Sequence, residues 1–263
     1  MGQKDSRTKK YMSDSKRFAD FFNAVLYNGR KVIQADDLTE LDSTNVVLPF
    51  AAGKKSIALQ KVRDIIKSCI IKKNNDMFFV LLGIENQSDI HYAMPVRQML
   101  YNAMSYVMQV DSIAKEHWNN DDLQGSQKYL SGFSKEDRIL PVITVTLYWG
   151  DQPWDAPTNL FDMLIPHHKG LDRYLDKSDI NLFSIIDGNG YEKCGEELKT
   201  IFEPLHYRND KTKFDQILSN RKYANMTKEQ MELLIEFTDL KRPPRSKKGG
   251  YDMCNAVKEL KIE

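Results

Sequence analysis

The chain has 263 residues, of which 41% are hydrophobic and 29% charged, with a formal net charge of +1. That length accommodates one large domain or two small ones with a sizeable core. The near-neutral balance lacks the basic excess common in nucleic-acid-binding domains. No apolar run reaches the roughly 18 residues of a membrane span, and the N-terminus carries no apolar secretory segment. Cys69, Cys194 and Cys254 are odd in number and widely spaced, so they form neither a disulfide framework nor a zinc motif. A reducing cytoplasm is the expected location. Gly2 and Ser6 fit a myristoylation pattern, but it is short enough to arise by chance.

In chain order, Phe18, Phe21, Phe22, Val25 and Leu26 form one apolar face and predict a helix over 14–28. Ser15 is placed to cap it and Gly29 to stop it. Ala35–Leu38 reads as a turn. Two strand-like runs follow at 60–72 and 77–87, joined by the tight-turn sequence Lys72-Lys73-Asn74-Asn75-Asp76. Pro95 suits the first turn of a long helix reaching about Trp118. Residues 119–138 are polar and read as a loop. The run 139–149 is strongly β-prone and ends at Gly150. A loop over 151–157, a short helix at 158–164 and a strand at 180–187 come next. Helices are predicted over 191–203, 210–220 and 227–239, and mixed strands and helices indicate an α/β domain.

The most informative stretch is Met77-Phe78-Phe79-Val80-Leu81-Leu82-Gly83-Ile84-Glu85-Asn86-Gln87-Ser88, which reads as a buried strand that turns abruptly polar. Residues two apart on a strand share a face, so Glu85 and Gln87 point the same way. Asp64 lies 21 positions before Glu85, at the start of the preceding strand-like run. A hairpin between the runs brings Asp64 near Glu85 and Gln87, and two carboxylates converging on a sheet suit a hard divalent cation. On residues alone the alternative stands beside it. Asp64 is then a surface carboxylate paired with Arg63 or Lys67, and Glu85 and Gln87 mark where a strand emerges into water.

Met94, Arg97, Tyr101, Met104 and Met108 recur at helical spacing on one face. The methionines suit core filling. Arg97 and Tyr101 either reach the site or lock the helix to nearby carbonyls. Trp149 and Trp154 are expected to pack around Gly150, and His167 and His168 to lie in a loop. His91 has no evident partner. Lys4, Arg7, Lys9, Lys10, Lys16 and Arg17 crowd the N-terminus, and the stretch 241–250 carries Lys241, Arg242, Arg245, Lys247 and Lys248 without an acid. Such runs are either phosphate-contacting arms or solvated linkers.

Several short pieces occur together in a recognisable order: Phe18-Ala19-Asp20-Phe21-Phe22-Asn23, Arg63-Asp64, Glu85-Asn86-Gln87-Ser88, Met94-Pro95-Val96-Arg97, Tyr101, Leu140-Pro141-Val142, Leu147-Tyr148-Trp149-Gly150 and Pro153-Trp154. In these the chain resembles the recombination-promoting nuclease / putative transposase family of the PD-(D/E)XK nuclease superfamily, over about residues 15–190. The resemblance implies a restriction-endonuclease-like α/β core, with a mixed central sheet flanked by helices and a helical C-terminal extension. It divides the chain into a basic tail (1–14), a nuclease-like domain (15–220) and a helical extension with a basic linker (221–263). It implies catalytic Asp64, Glu85 and Gln87, with Asp64 and Glu85 holding Mg²⁺ (Mn²⁺ as a substitute); beside them, Arg97, Tyr101 and Lys67 are read from their placement as substrate contacts, with a second metal or a basic residue such as Lys67 or Arg97 as the expected source of charge. Asp20 sits where related nucleases often carry an extra acid, though here a surface or structural place is expected. The implied activity is endonucleolytic hydrolysis of DNA by a cytoplasmic bacterial protein, linked to mobile elements, recombination or phage defence. A homodimer would supply two active centres for double-strand cleavage. The usual lysine of the third motif position is glutamine here, which brings no positive charge. The alternatives are a binding module of the same fold with little turnover, and an RNA nuclease.

Overall fold

The computed structural model describes residues 3–41, 45–47, 58–60, 64–73, 76–122, 131–188, 190–238, 240–246 and 248–254. The central element is a five-stranded mixed sheet flanked by helices. In chain order come α1 (Gln3–Ser13), α2 (Ser15–Tyr27), β1 (Leu38–Glu40), β2 (Asn45–Val47), β3 (Ala58–Gln60), β4 (Ile65–Lys73), β5 (Asp76–Gln87), α3 (Met94–Asn120), β6 (Val142–Tyr148), β7 (Asn181–Ser184), α4 (Glu196–His206), α5 (Lys211–Leu218) and α6 (Lys228–Glu236). The sheet runs β1-β4-β5-β6-β7, while β2 and β3 form a separate pair. β1, β4 and β5 are antiparallel neighbours, and β6 and β7 continue the sheet in parallel with β5. The parallel step from β5 to β6 is made through α3, as a crossover connection requires.

Strand alternation divides the sheet into two faces. Ile65, Cys69 and Ile71 of β4, Val80, Leu82 and Ile84 of β5, and Val145 and Leu147 of β6 enter one core with Phe18, Phe21 and Phe22 of α2. Asp14, rather than Ser15, caps α2: its side chain accepts from the backbone N–H groups of Lys16 and Arg17. Asn28 ends the helix in the left-handed region, and Gly29 follows at φ +82°, where a Cβ would fall 2.7 Å from the Lys193 carbonyl oxygen. Only glycine fits that turn.

The opposite face is covered by α3 through a row of polar contacts. Thr144 Oγ1 donates to Asn102 Oδ1 at 2.6 Å and Thr146 Oγ1 to Gln98 Oε1 at 3.2 Å. Tyr106 OH accepts from the Val142 N–H, and the Gln109 amide brackets the backbone of Leu140 from both sides. Gln98, Asn102, Tyr106 and Gln109 are three or four residues apart and so lie on one helix face. This row orients α3 over β6. Of the methionines on the predicted stripe, Met94 and Met104 are buried and Met108 is exposed.

The first and last described elements belong to this core. The first residues form α1 instead of a tail, burying Thr8, Tyr11 and Met12. Arg7 pairs with Glu232 at 2.7 Å and Glu236 at 3.2 Å, and Arg17 with Glu197 at 2.6 Å and Glu229 at 2.9 Å. Two of the basic N-terminal charges, Arg7 and Arg17, therefore answer acids of α4 and α6. Met231, Leu233 and Leu234 of α6 join Phe237, Leu240 and Met253 in the same cluster as α2 and the sheet. The stretch 221–254 is thus integral to the core, not appended to it. Its basic segment is also anchored: Arg242 pairs with Glu232, Arg245 bridges Tyr251, and Ser246 donates to Asn225.

The apolar run at the start of β5 is less buried than its composition suggests. Met77, Phe78 and Phe79 are exposed because β1 reaches only as far as Cys69 of β4 and β6 begins opposite Leu81. The end of the β4–β5 hairpin thus projects beyond the sheet. The turn residues Asn74 and Asn75, Arg63, the middle of the 119–138 loop (123–130) and the last segment, 255–263, lie outside the described residues. Among the described residues, no helix is long and apolar enough to cross a membrane.

Candidate active site

Antiparallel register brings Asp64 and Glu85 together. Ile65 pairs with Ile84, so the preceding residue of β4 and the following residue of β5 stand opposite each other. The Asp64 backbone N–H donates to Glu85 Oε1 at 3.2 Å, and the Asn86 N–H donates to Asp64 Oδ2 at 3.0 Å. Each carboxylate is thereby fixed by backbone of the other strand. Both residues are buried, Glu85 completely. Gln87, two residues on, shares the Glu85 face and is also buried. This is the face covered by α3, whose first turns carry Arg97 and Tyr101.

Arg97 closes the cluster. Its guanidinium donates through Nε to Tyr101 OH at 2.7 Å, and makes longer contacts of 3.4 Å to Gln87 Oε1 and Glu85 Oε2. The Arg97 side chain keeps 31% of its exposure while Glu85 keeps none. Burial works against the Arg97 charge, but the Tyr101 hydrogen bond and the Glu85 and Asp64 carboxylates outweigh it and hold its pKa above the ordinary value. Burial and the Glu85 charge push the Tyr101 phenol up, against the opposing pull of Arg97. Tyr101 therefore stays a neutral phenol at physiological pH.

The structure brings together Asp64, Glu85, Gln87, Arg97 and Tyr101, but not Lys67. Lys67 lies three positions after Asp64, an odd step that sends it to the opposite sheet face. There its ammonium donates to the Ser13 carbonyl at 2.7 Å and to Ser15 Oγ at 2.9 Å, joining the end of α1 to the start of α2. Asp20 accepts from the Gly195 N–H at 2.7 Å, a structural tie away from Glu85. His167 is held by the Ile165 carbonyl and Asp172, within its own loop. His91 is partly buried, and its carbonyl accepts from the Met94 N–H at the start of α3.

Behind the site, Trp149 is fully buried and its indole N–H donates to Asn86 Oδ1 at 3.0 Å. Trp149 stacks on Phe237, and Trp154 meets Tyr148 edge-on. The Asn86 side chain thus anchors to one face while its N–H holds Asp64 on the other. Sequence reasoning treated Trp149 as packing around Gly150 and did not foresee this link, or the role of Gln98. The available signal was the polar spacing Gln98, Asn102, Tyr106 and Gln109 on a helix otherwise notable for methionine.

Compared with known proteins, the chain matches no family model, no curated protein and no solved structure. The chemistry of the site must be judged from its own donors. Among the described residues, no group of three or more His, Cys, Asp or Glu side chains is positioned to hold a metal ion. Two carboxylates, with the Gln87 carbonyl oxygen beside them, remain an oxygen donor set. Mg²⁺ keeps several waters and is commonly held by only one or two carboxylates together with substrate phosphates. The donors fit that ion, whereas they lack the nitrogen or sulfur ligands of a zinc centre.

Proposed function

We propose that the chain is a Mg²⁺-dependent phosphodiesterase acting within DNA, with Mn²⁺ able to substitute. The observation that carries this reading is the convergence of Asp64 and Glu85 at the edge of two antiparallel strands, the Glu85 carboxylate held by the Asp64 N–H and the Asp64 carboxylate by the Asn86 N–H. Asp64 and Glu85 would hold the ion, and the neighbouring Gln87 would orient water or a phosphate oxygen through its amide. When bound, such an ion polarises the scissile phosphate and assists formation of hydroxide. The protein's part is to keep two buried carboxylates aligned side by side. The five-stranded mixed sheet with a crossover helix is compatible with the restriction-endonuclease-like fold that the motif resemblance implies. That resemblance also supports a cytoplasmic role with mobile elements, recombination or phage defence, and a homodimer for double-strand cleavage.

Plasmid cleavage by the purified protein in Mg²⁺, Mn²⁺ or EDTA tests the proposal, beside Asp64→Ala and Glu85→Ala proteins of confirmed fold. Nicking or linearisation that requires metal and disappears in both variants supports it. Cleavage that survives both substitutions rules out this site. Intact DNA binding without cleavage favours a binding module of the same fold. Preferential cleavage of RNA in the same assay reassigns the substrate.

A further inference from the structure

We propose that Arg97, aimed by Tyr101, supplies the positive charge that Gln87 cannot, and contacts the scissile phosphate directly. The inference rests on the phosphodiesterase reading of Asp64 and Glu85. A divalent ion held by two carboxylates brings the local charge to zero. The transition state of phosphodiester hydrolysis gathers further negative charge on its equatorial oxygens, and a preorganised cation there is worth a large part of the rate. At position 87 an amide can donate a hydrogen bond but adds no charge. Among the described residues, Arg97 is a cation in contact with both motif residues, since its guanidinium lies 3.4 Å from Glu85 Oε2 and 3.4 Å from Gln87 Oε1.

The geometry also indicates how it would work. The short contact, 2.7 Å, is between Nε and Tyr101 OH, and the contacts to the site are the long ones. Tyr101 thus fixes the stem of the guanidinium, while its two outer nitrogens make only the long contacts and the side chain as a whole keeps 31% of its exposure. An incoming phosphate oxygen can take those outer N–H groups in the bidentate manner that arginine favours over lysine. The neutral Tyr101 phenol accepts from Nε without competing for the charge. Arg97 is then a catalytic residue on a helix, and Tyr101 the residue that positions it. The polar row from Gln98 to Gln109 keeps that helix in register with β6.

Two measurements test this. In the first, steady-state cleavage of a duplex oligonucleotide with Mg²⁺ compares wild type, Arg97→Ala, Arg97→Lys and Tyr101→Phe. Loss of an electrostatic donor of this kind costs about a hundredfold to a thousandfold in kcat. The expected result is such a loss in Arg97→Ala, a partial return in Arg97→Lys, and a smaller loss in Tyr101→Phe. In the second, Mn²⁺ binding by electron paramagnetic resonance is compared in wild type and Arg97→Ala without DNA. Mn²⁺ should bind the variant at least as tightly, because a competing cation has been removed from beside Glu85. A wild type that cleaves and an Arg97→Ala protein that keeps its kcat would overturn this inference alone. So would loss of Mn²⁺ binding in Arg97→Ala, which would make Arg97 a structural support of the carboxylates. A wild type that neither binds Mn²⁺ nor cleaves would overturn the underlying reading as well.

Discussion

Asp64 and Glu85 are bound to each other through the main chain: the N–H of the first donates to the carboxylate of the second across 3.2 Å. The next N–H of β5, from Asn86, returns the bond to Asp64. Residues 21 apart in sequence thus form one hydrogen-bonded unit, and disturbing either affects the other.

Isosteric neutralisation should separate chemistry from folding at this unit. Asp64→Asn and Glu85→Gln keep an oxygen acceptor for each backbone N–H but remove the charge that would hold the ion. Losing several kcal/mol of metal-derived stabilisation lowers cleavage by more than about a thousandfold. Glu85 is wholly buried and its arginine contact is long, so Glu85→Gln should leave thermal stability unchanged or raise it. Plasmid assays beside calorimetry decide the matter. A Glu85→Gln protein that melts much earlier would show that the charge stabilises the fold.

Lys67 provides the opposite case. Burial lowers its pKa, and its ammonium joins α1 to α2. Lys67→Ala should cost about 1–3 kcal/mol by denaturant unfolding, through lost stem packing and unpaired oxygens on Ser13 and Ser15. Its kcat should equal that of wild type. The lowered pKa means that the unfolded chain binds more protons than the folded one between the two values. This residue's contribution to stability therefore grows as pH rises toward the ordinary lysine range, a slope that Lys67→Met should abolish.

Trp149→Phe should weaken both fold and function. Asn86 Oδ1 loses its buried donor, a change worth about 1–3 kcal/mol. Because the same residue's N–H holds Asp64, cleavage by the folded variant should also fall, while Mn²⁺ affinity drops. Unchanged Mn²⁺ binding in a destabilised Trp149→Phe protein would uncouple the two roles.

A pH response is expected at the far end of α3. His117 Nδ1 lies 2.6 Å from Asp122 Oδ1, and Nε2 lies 3.0 Å from Asp137 Oδ2. Hydrogen bonds to Asp122 and then Asp137 raise its pKa. A raised folded value makes the contribution complete below the ordinary histidine pKa of about 6.5, and it fades as pH climbs through the folded value. The protection of residues 131–138 against hydrogen exchange, taken relative to the intrinsic base-catalysed rate, should therefore fall at alkaline pH in wild type and stay constant in His117→Gln.

Elements carried by local patterning were legible in the sequence. The amphipathic face of α2, the β4–β5 hairpin and the proline-started α3 all follow from periodicity and turn chemistry, and with them the meeting of Asp64, Glu85 and Gln87. What sequence left open was settled by partners distant in the chain. Lys67 looked like a site cation because the strand's two faces cannot be told apart from a single charge. Arg7 and Arg17 looked like a basic tail because the acids that answer them are in α4 and α6. Phe78 and Phe79 looked buried because composition does not say where neighbouring strands stop.

The clasp between α1 and α6 has a consequence for vectorial synthesis. The carboxylates of the site lie in the first third of the chain, but the core beneath their sheet takes Leu233, Leu234 and Phe237 from near its end. A nascent chain emerging from the ribosome can pair β4 with β5 early, yet cannot seal the layer below until α6 has been released. The site thus reaches its final rigidity only after α6 has left the ribosome.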